Sequence, residues 1–132
     1  MATIRLSYGR DSLPFDYDEN RFHLLGAPPD GPRLSDADIG ERLDQPIDSP
    51  PLEELIQGGR SVLIGVPDAT RQSASGQVVN LLLSRLIANG TPAHDIRIIF
   101  ATGIHRRVTS DERSAILTPF ITQRIKTLDH DP

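Results

Sequence analysis

The chain of 132 residues contains no cysteine. This absence excludes disulfide bonds, thiolate metal sites and a cysteine nucleophile, and it permits a reducing compartment. No apolar run approaches the length of a membrane-spanning helix, and the N-terminus lacks the apolar core of a signal peptide. We therefore expect a cytoplasmic protein.

Several well-known site motifs are also missing. The sequence has no G-x-G-x-x-G, no Walker loop and no G-x-S-x-G nucleophile elbow. No group of His, Asp and Glu residues has the spacing of metal ligands, so we predict no protein-only metal site. The net charge of −4 argues against a nucleic-acid partner or an anionic membrane. The length is that of a single domain.

What is present is a repeated arrangement, an apolar β-type run that ends in a polar loop. Residues 61–66 (SVLIGV) precede Pro67-Asp68-Ala69-Thr70-Arg71, and residues 96–100 (IRIIF) precede Ala101-Thr102-Gly103-Ile104-His105-Arg106. Between them, apolar residues recur at helical spacing from 78 to 87, and Asn89-Gly90 fits a helix end. The pattern predicts a βαβ unit with parallel strands, and hence both loops at one sheet edge.

The remaining segments complete an α/β chain with a Rossmann-like open sheet, parallel central strands, flanking helices and an N-terminal β-hairpin. Run 61–66 is apolar on both faces, as a strand buried on both faces would be. The Thr109…Glu112 spacing is that of a capping box and predicts a helix to about residue 117. The other predicted elements are strands at 3–8, 21–25 and 121–128, a turn at 16–20, a loop at 26–36, and helices at 36–43 and 51–57.

The first polar loop has the side chains of an anion site. Open α/β sheets bind ligands at the carboxyl ends of their strands, where helix N-termini attract anions. Arg71 can hold a carboxylate or phosphate with two hydrogen bonds, Thr70 and Ser73 add hydroxyls, and Asp68 can orient an imidazole. The alternative is structural: Asp68 and Ser73 cap a turn, and Arg71 forms a surface ion pair.

The second polar loop supplies a candidate acid/base. Thr102-Gly103 allows a sharp turn, and His105 has the side chain whose ordinary pKa suits proton transfer near neutrality. Arg106 adds positive charge to the rim of the site. A hydrogen-bonded loop histidine and a solvated basic patch are the alternatives.

Taken together, the two loops resemble the N-terminal part of the nickel-pincer lactate racemase family, LarA. Residues 67–71 are similar to that family's D-x-T-R loop, and residues 101–106 to its A-T-G-x-H-R loop. The resemblance covers most of residues 40–131 with order and spacing kept. The chain departs from the family at Gln72 and Arg107, where the family often has proline.

The resemblance implies a two-domain α/β isomerase, a racemase or epimerase of 2-hydroxy acids. Its cofactor is a nickel-pincer derivative of nicotinic acid mononucleotide, which takes up hydride while a histidine takes the hydroxyl proton. By position, His105 matches an acid/base histidine, and Asp68 and Arg71 match residues of the same site. Thr70, Ser73, Thr102, Gly103 and Arg106 would line the cofactor.

The chain matches only part of that machinery. The family's second acid/base histidine, cofactor-binding lysine and nickel-ligating histidine lie further along, and the chain ends without a stop signal. We therefore expect residues 1–132 to be the N-terminal domain of a longer enzyme. By itself this domain would be inactive and would hold no cofactor. Its expected partners are a 2-hydroxy acid substrate and the C-terminal domain of the same enzyme. A homo-oligomer is compatible with this interpretation. The alternatives are a non-catalytic Rossmann-like module that binds phosphate or a nucleotide, and a domain used for assembly.

Overall fold

The structure is a computed structural model that describes residues 1–26, 31–56, 60–71 and 73–131. The chain divides into two compact units, Met1–Arg33 and Leu34–Pro132. The expectation of one domain within a longer enzyme stays a prediction.

The first unit contains a β-hairpin. Strand β1 (Ala2–Tyr8) pairs antiparallel with β2 (Asp11–Tyr17), with Tyr8 opposite Asp11. The predicted partner strand at 21–25 is wrong, and the predicted turn at 16–20 begins two residues too early, inside β2. The physical reason is the two-residue connection at Gly9-Arg10. Gly9 adopts a φ of 61°, which a tight hairpin turn requires and glycine adopts without strain.

The second unit is a parallel three-stranded sheet with helices. Its strands are β3 (Val62–Pro67), β4 (Ile96–Ala101) and β5 (Lys126–Asp129), in the order β3-β4-β5. The helices are α1 (Asp36–Asp44), α2 (Leu52–Leu55), α3 (Ser75–Ala88), α4 (Ser110–Leu117) and α5 (Pro119–Thr122), with a 3-10 turn at Ala93–Asp95. The predicted α/β class, with parallel strands and an N-terminal hairpin, is confirmed.

Helix α3 packs on the sheet through the apolar residues that the spacing predicted. Val79, Leu83 and Leu86 are buried on it, although Ile87 of the same predicted face is half exposed. Gly76 allows α3 to approach α4 closely, since a Cβ there would lie 2.6 Å from the Ile116 carbonyl oxygen. The fully buried residues Phe100, Ile96 and Ile98 place the centre of the core on β4.

Two predictions about this unit need correction. Strand β3 is not buried on both faces, because it lies at the edge of the described sheet and Leu63 is 60% exposed. The predicted strand at 121–128 begins only at Lys126. Pro119 occupies the first position of α5, where its fixed φ favours a helix. The residues before β5 therefore form one helical turn.

The remaining predicted elements lie close to observed ones. The capping box is present: Thr109 caps α4 and Glu112 bonds back to the Thr109 backbone. The predicted helix at 51–57 corresponds to α2, and its last residue and the predicted glycine stop at 58–59 lie outside the described residues, as does part of the loop at 26–36. None of the helices in the described ranges combines the length and apolar character that crossing a membrane requires.

Candidate active site

The two polar loops leave adjacent strands at the same edge of the sheet. Val66 lies opposite Phe100, and Pro67 opposite Ala101, in the parallel register of β3 and β4. The next residues of both strands therefore emerge side by side. This is the juxtaposition on which a shared site depends.

Asp68 and His105 meet at this edge. Asp68 Oδ2 lies 2.6 Å from His105 Nδ1, although the residues are 37 positions apart in the sequence. Asp68 Oδ1 accepts hydrogen bonds from the Thr70 hydroxyl (2.6 Å) and the Thr70 backbone N–H (3.2 Å). The bonds from Thr70, and then that from His105, lower the pKa of Asp68 to about 2. Asp68 is therefore an ionised, nearly buried carboxylate at neutral pH, with its side chain 7% exposed.

An ionised carboxylate fixes the tautomer of the imidazole. Because Asp68 can only accept hydrogen bonds, Nδ1 of His105 must carry the proton that joins them. In the neutral imidazole, Nε2 is then without a proton and can accept one. The His105 side chain is 53% exposed, so a ligand can reach it. The pair has the geometry of an oriented general base.

The loop before His105 is shaped by its own backbone. Gly103 adopts a φ of 55°, and the His105 N–H donates to the Thr102 carbonyl at 2.9 Å. The buried Thr102 hydroxyl donates to the His130 carbonyl at 3.0 Å, which ties the end of β4 to the residue after β5. Thr102 thus holds the loop from within the fold.

Arg106 lies beside the pair, with its guanidinium already occupied. It forms two hydrogen bonds with Glu112, at 2.9 and 2.7 Å, and one with the Arg107 carbonyl. The bonds from Arg106 and from the Thr109 backbone lower the pKa of Glu112 to about 2, and Glu112 in turn raises the pKa of Arg106. The positive charge is therefore fixed in place and largely balanced.

These residues enclose a small cleft of about 60 Å³. We call it the Asp68–His105 cleft, and it is lined by Asp68, Ala69, Thr70, His105, Arg106, Val108 and Glu112. Pockets that hold small ligands usually measure about 300–1,000 Å³, so this cleft alone encloses no substrate. A larger depression of about 630 Å³ runs along α1, but no histidine lines it.

Other predicted site residues lie outside the cleft. Arg71 is exposed, and its backbone N–H closes a turn on the Asp68 carbonyl at 3.2 Å. Ser73 is hydrogen-bonded to Ser75 at 2.7 Å and lines a separate groove between β3 and α3. Gly103 is exposed and does not line the cleft. The structure thus brings together Asp68, Thr70, His105 and Arg106, and their assigned roles stay predictions.

The sequence interpretation missed two features of the site. The sequence predicts only a capping role for Glu112, yet its carboxylate also holds Arg106. Arg113 and Asp129, which contact the loop after His105, were not singled out at all. A charged residue six positions after Arg106 is a weak signal, because the loop geometry decides whether they meet.

In the described ranges, no three side chains of His, Asp or Glu come close enough together to hold a metal ion. This finding concerns the chain's own residues only. A metal in the complete protein would need ligands from elsewhere or from a cofactor.

Comparisons with known proteins agree with the geometry. A family model described as the lactate racemase N-terminal domain matches residues 8–132. The lactate racemase of Thermoanaerobacterium thermosaccharolyticum is 30% identical over 135 residues, which cover 99% of this chain and 32% of that protein. The lactate racemase of Lactiplantibacillus plantarum is 34% identical over 116 residues, 85% of this chain and 27% of that protein.

A solved structure supports the same relationship. The lactate racemase apoprotein from T. thermosaccharolyticum superposes with a TM-score of 0.75 at 29% identity, covering 98% of this chain and 30% of that one. The chain thus spans about a third of the length of these relatives. With a family model matched from residue 8 to residue 132, the chain belongs to the lactate racemase N-terminal domain family.

Proposed function

We propose that the protein containing this chain interconverts the stereoisomers of a 2-hydroxy acid, with His105 as one of its acid/base groups. The observation that carries the proposal is the 2.6 Å contact between His105 Nδ1 and the ionised Asp68. This contact leaves Nε2 as a proton acceptor on an exposed imidazole. The name of the two relatives, lactate racemase, supplies the reaction class.

In the proposed reaction, His105 Nε2 removes the proton of the substrate hydroxyl as the hydride leaves C2. The substrate becomes a planar 2-keto acid, and His105 becomes an imidazolium whose charge Asp68 balances at 2.6 Å. Return of hydride to the opposite face of C2, with a proton to the oxygen, gives the other stereoisomer. A nickel-pincer derivative of nicotinic acid mononucleotide supplies the hydride acceptor when it is bound.

The chain's residues fit one end of such a cofactor. Helix α3 begins at Ser75 without a side-chain cap, so backbone N–H groups of its first turn are available to a phosphate. Ser73 and the exposed Arg71 flank this helix end. The described residues form no group of three metal-binding side chains, so this part of the protein would not hold the nickel by itself.

Arg71 would hold the substrate carboxylate or a neighbouring anion. Its guanidinium has no ion pair with any residue that the structure describes, whereas that of Arg106 is taken by Glu112. A planar fork with free donors suits bidentate binding of a carboxylate. Arg71 is therefore the better candidate of the two for substrate.

The remainder of the protein would complete the site. The Asp68–His105 cleft measures only about 60 Å³, and the chain spans about a third of its relatives' length. We infer that a C-terminal domain closes over the cleft and brings a second acid/base group. We also retain the cytoplasm as the proposed location.

The test is a stereoisomer-conversion assay of the complete gene product with cofactor, across a panel of 2-hydroxy acids. His105→Ala should lower kcat by about 10²–10⁴-fold, the usual contribution of a general base. His94→Ala is the matched control, because His94 also faces an aspartate (3.7 Å from Asp95) but is 81% exposed and outside the cleft. An unchanged rate in His105→Ala would refute the assigned role.

The same variants separate catalysis from simple anion binding. A module that only binds a phosphate or nucleotide would lose affinity for inorganic phosphate in Arg71→Ala, and His105→Ala would bind it normally with no conversion in any variant. Conversion by the unaltered protein, lost in both variants, supports the racemase.

A further inference from the structure

A partly buried charge network lies directly behind the loop that carries His105. Arg113, on α4, donates from Nε to the Val108 carbonyl (3.1 Å), from Nη1 to the Thr127 hydroxyl (2.7 Å) and from Nη2 to Asp129. Asp129 also accepts from the Val108 backbone N–H at 3.3 Å. Both backbone polar groups of Val108 are therefore bound by one ion pair.

Several contacts restrict the movement of the Arg113–Asp129 pair. The side chains of Arg113 and Asp129 are only 20% and 10% exposed, and the Arg113 guanidinium lies 5.2 Å from the centre of the buried Phe100 ring. Phe100 is opposite Asp129 in the β4–β5 register. A guanidinium with three hydrogen-bond acceptors and an aromatic face has little freedom to move.

The loop between Thr102 and Val108 is consequently attached at both ends to the carboxyl end of β5. At its start, the Thr102 hydroxyl donates to the His130 carbonyl, and at its end, Val108 is bound by Asp129 and Arg113. His105 projects from the middle of this loop. Its position relative to Asp68, on the β3 loop, thus depends on anchors that never touch Asp68.

We propose that Arg113 and Asp129 are positioning residues, which act through Val108 to hold the His105 imidazole against Asp68. This inference rests on the proposed function only for its catalytic consequence. The positioning itself concerns atoms within the chain. Arg113 and Asp129 do not line the Asp68–His105 cleft, so a catalytic effect of either would be exerted through the loop.

A loosened loop should impair the reaction more than substrate binding. Misplacement of a reacting group by about 1 Å can cost about 10²-fold in rate. Because the substrate carboxylate is assigned to Arg71, on the other loop, KM should change little. Partial unfolding would also lower the apparent kcat at constant KM, because it removes active enzyme, so the kinetics must be read together with the NMR signals of His105 in the folded protein.

The experiment compares Arg113→Lys with Arg85→Lys in the complete gene product. Arg85 is the matched control: its side chain is also 20% exposed, it pairs with Glu53 and Asp44, and it lies on α3 away from the cleft. In each variant lysine keeps the charge and loses the fork. Asp129→Asn is the second variant, in case Arg113→Lys fails to fold. Three properties are measured: the histidine ¹⁵N NMR signals, hydrogen exchange of the Val108 amide, and the kinetic constants kcat and KM. The His105 signals are identified by their absence in His105→Ala.

We expect Arg113→Lys and Asp129→Asn to shift the His105 resonances, to speed exchange at Val108 and to lower kcat by about 10–10²-fold, with KM within about threefold. Arg85→Lys should leave all of these unchanged. Unaltered His105 resonances in Arg113→Lys or Asp129→Asn, or equal shifts in Arg85→Lys, would overturn the proposal. If the protein converts no hydroxy acid, the proposed function fails while the NMR and exchange results still decide the positioning.

Discussion

Replacing Asp68 with asparagine should reverse the tautomer of His105. The two side chains have the same shape, so the asparagine oxygen can keep the hydrogen bonds from Thr70, at 2.6 and 3.2 Å. The amide nitrogen then takes the place of the oxygen that faces His105 Nδ1, and it can only donate. Nδ1 must therefore become the acceptor, and the proton of the neutral imidazole moves to Nε2. A protonated Nε2 cannot remove the proton of the substrate hydroxyl.

The expected fall in kcat of Asp68→Asn follows from the loss of His105 as a base in a protein that remains folded. An imidazole held in the wrong tautomer forfeits most of the contribution of general-base catalysis, about 10²–10⁴-fold in kcat. The imidazolium formed during the reaction would also lose the ionised carboxylate that balances its charge. Because the pKa of Asp68 is lowered to about 2, this loss applies throughout the neutral range and does not depend on the pH chosen there.

The assay has a structural and a kinetic part. Histidine-selective ¹⁵N NMR should report a proton on Nδ1 in the unaltered protein and on Nε2 in Asp68→Asn, and stereoisomer conversion should fall by the factor given above. Thr70→Val is the control, since it removes the hydroxyl that lowers the pKa of Asp68 most. There the pKa should rise toward 3.8, still far below neutrality, so the proton should stay on Nδ1; because Thr70 lines the cleft, this control is read by NMR alone. A proton that stays on Nδ1 in Asp68→Asn, or a kcat within about threefold, would refute the reasoning.

Two further predictions concern stability. Gly76→Ala should lower the free energy of unfolding by about 1–3 kcal/mol, because its Cβ would lie 2.6 Å from the Ile116 carbonyl oxygen. The control Gly40→Ala, in an open position of α1, should raise the free energy of unfolding by at most about 1 kcal/mol. Urea unfolding measures both variants, and equal effects would contradict the close approach of α3 to α4. The pKa of Glu112 falls from 4.5 to about 2 on folding, so its ionised form stabilises the fold above pH 4.5 and that contribution is lost as the pH falls toward 2. Glu112→Gln should therefore show a shallower loss of stability over this interval, and an identical slope would argue against the pair with Arg106.

The elements that sequence predicted well are those whose local and long-range signals agree. Helix α3 has a long apolar period and an Asn89-Gly90 end, and its buried residues include Val79, Leu83 and Leu86. Helix α4 has a capping box, which needs only residues four positions or fewer apart. Strand β4 is a short apolar run of the type that forms the centre of a parallel sheet.

Errors occurred where two local solutions compete. Residues 11–17 and 21–25 can both follow β1, and the short Gly9-Arg10 connection favours the nearer segment because it closes the smaller loop. In the predicted strand at 121–128, Ile121 and Ile125 are buried four positions apart, as on a helical turn, and the strand begins only at Lys126. The sequence predicts Leu63 as a core residue because the apolar run 61–66 does not show whether its strand lies at the edge or in the centre of the sheet.

The candidate site was predictable to the extent that topology determines it. Parallel strands bring the ends of β3 and β4 to one edge, and this alone places Asp68 near His105. Which guanidinium is free cannot be deduced in that way, since Arg71 and Arg106 both follow strand ends. The choice depends on Glu112, whose carboxylate binds Arg106 only because α4 begins where it does. The charge balance around the imidazole is therefore set by the capping residue Glu112. The loop motifs alone predict two unpaired guanidinium groups, although Glu112 pairs with that of Arg106.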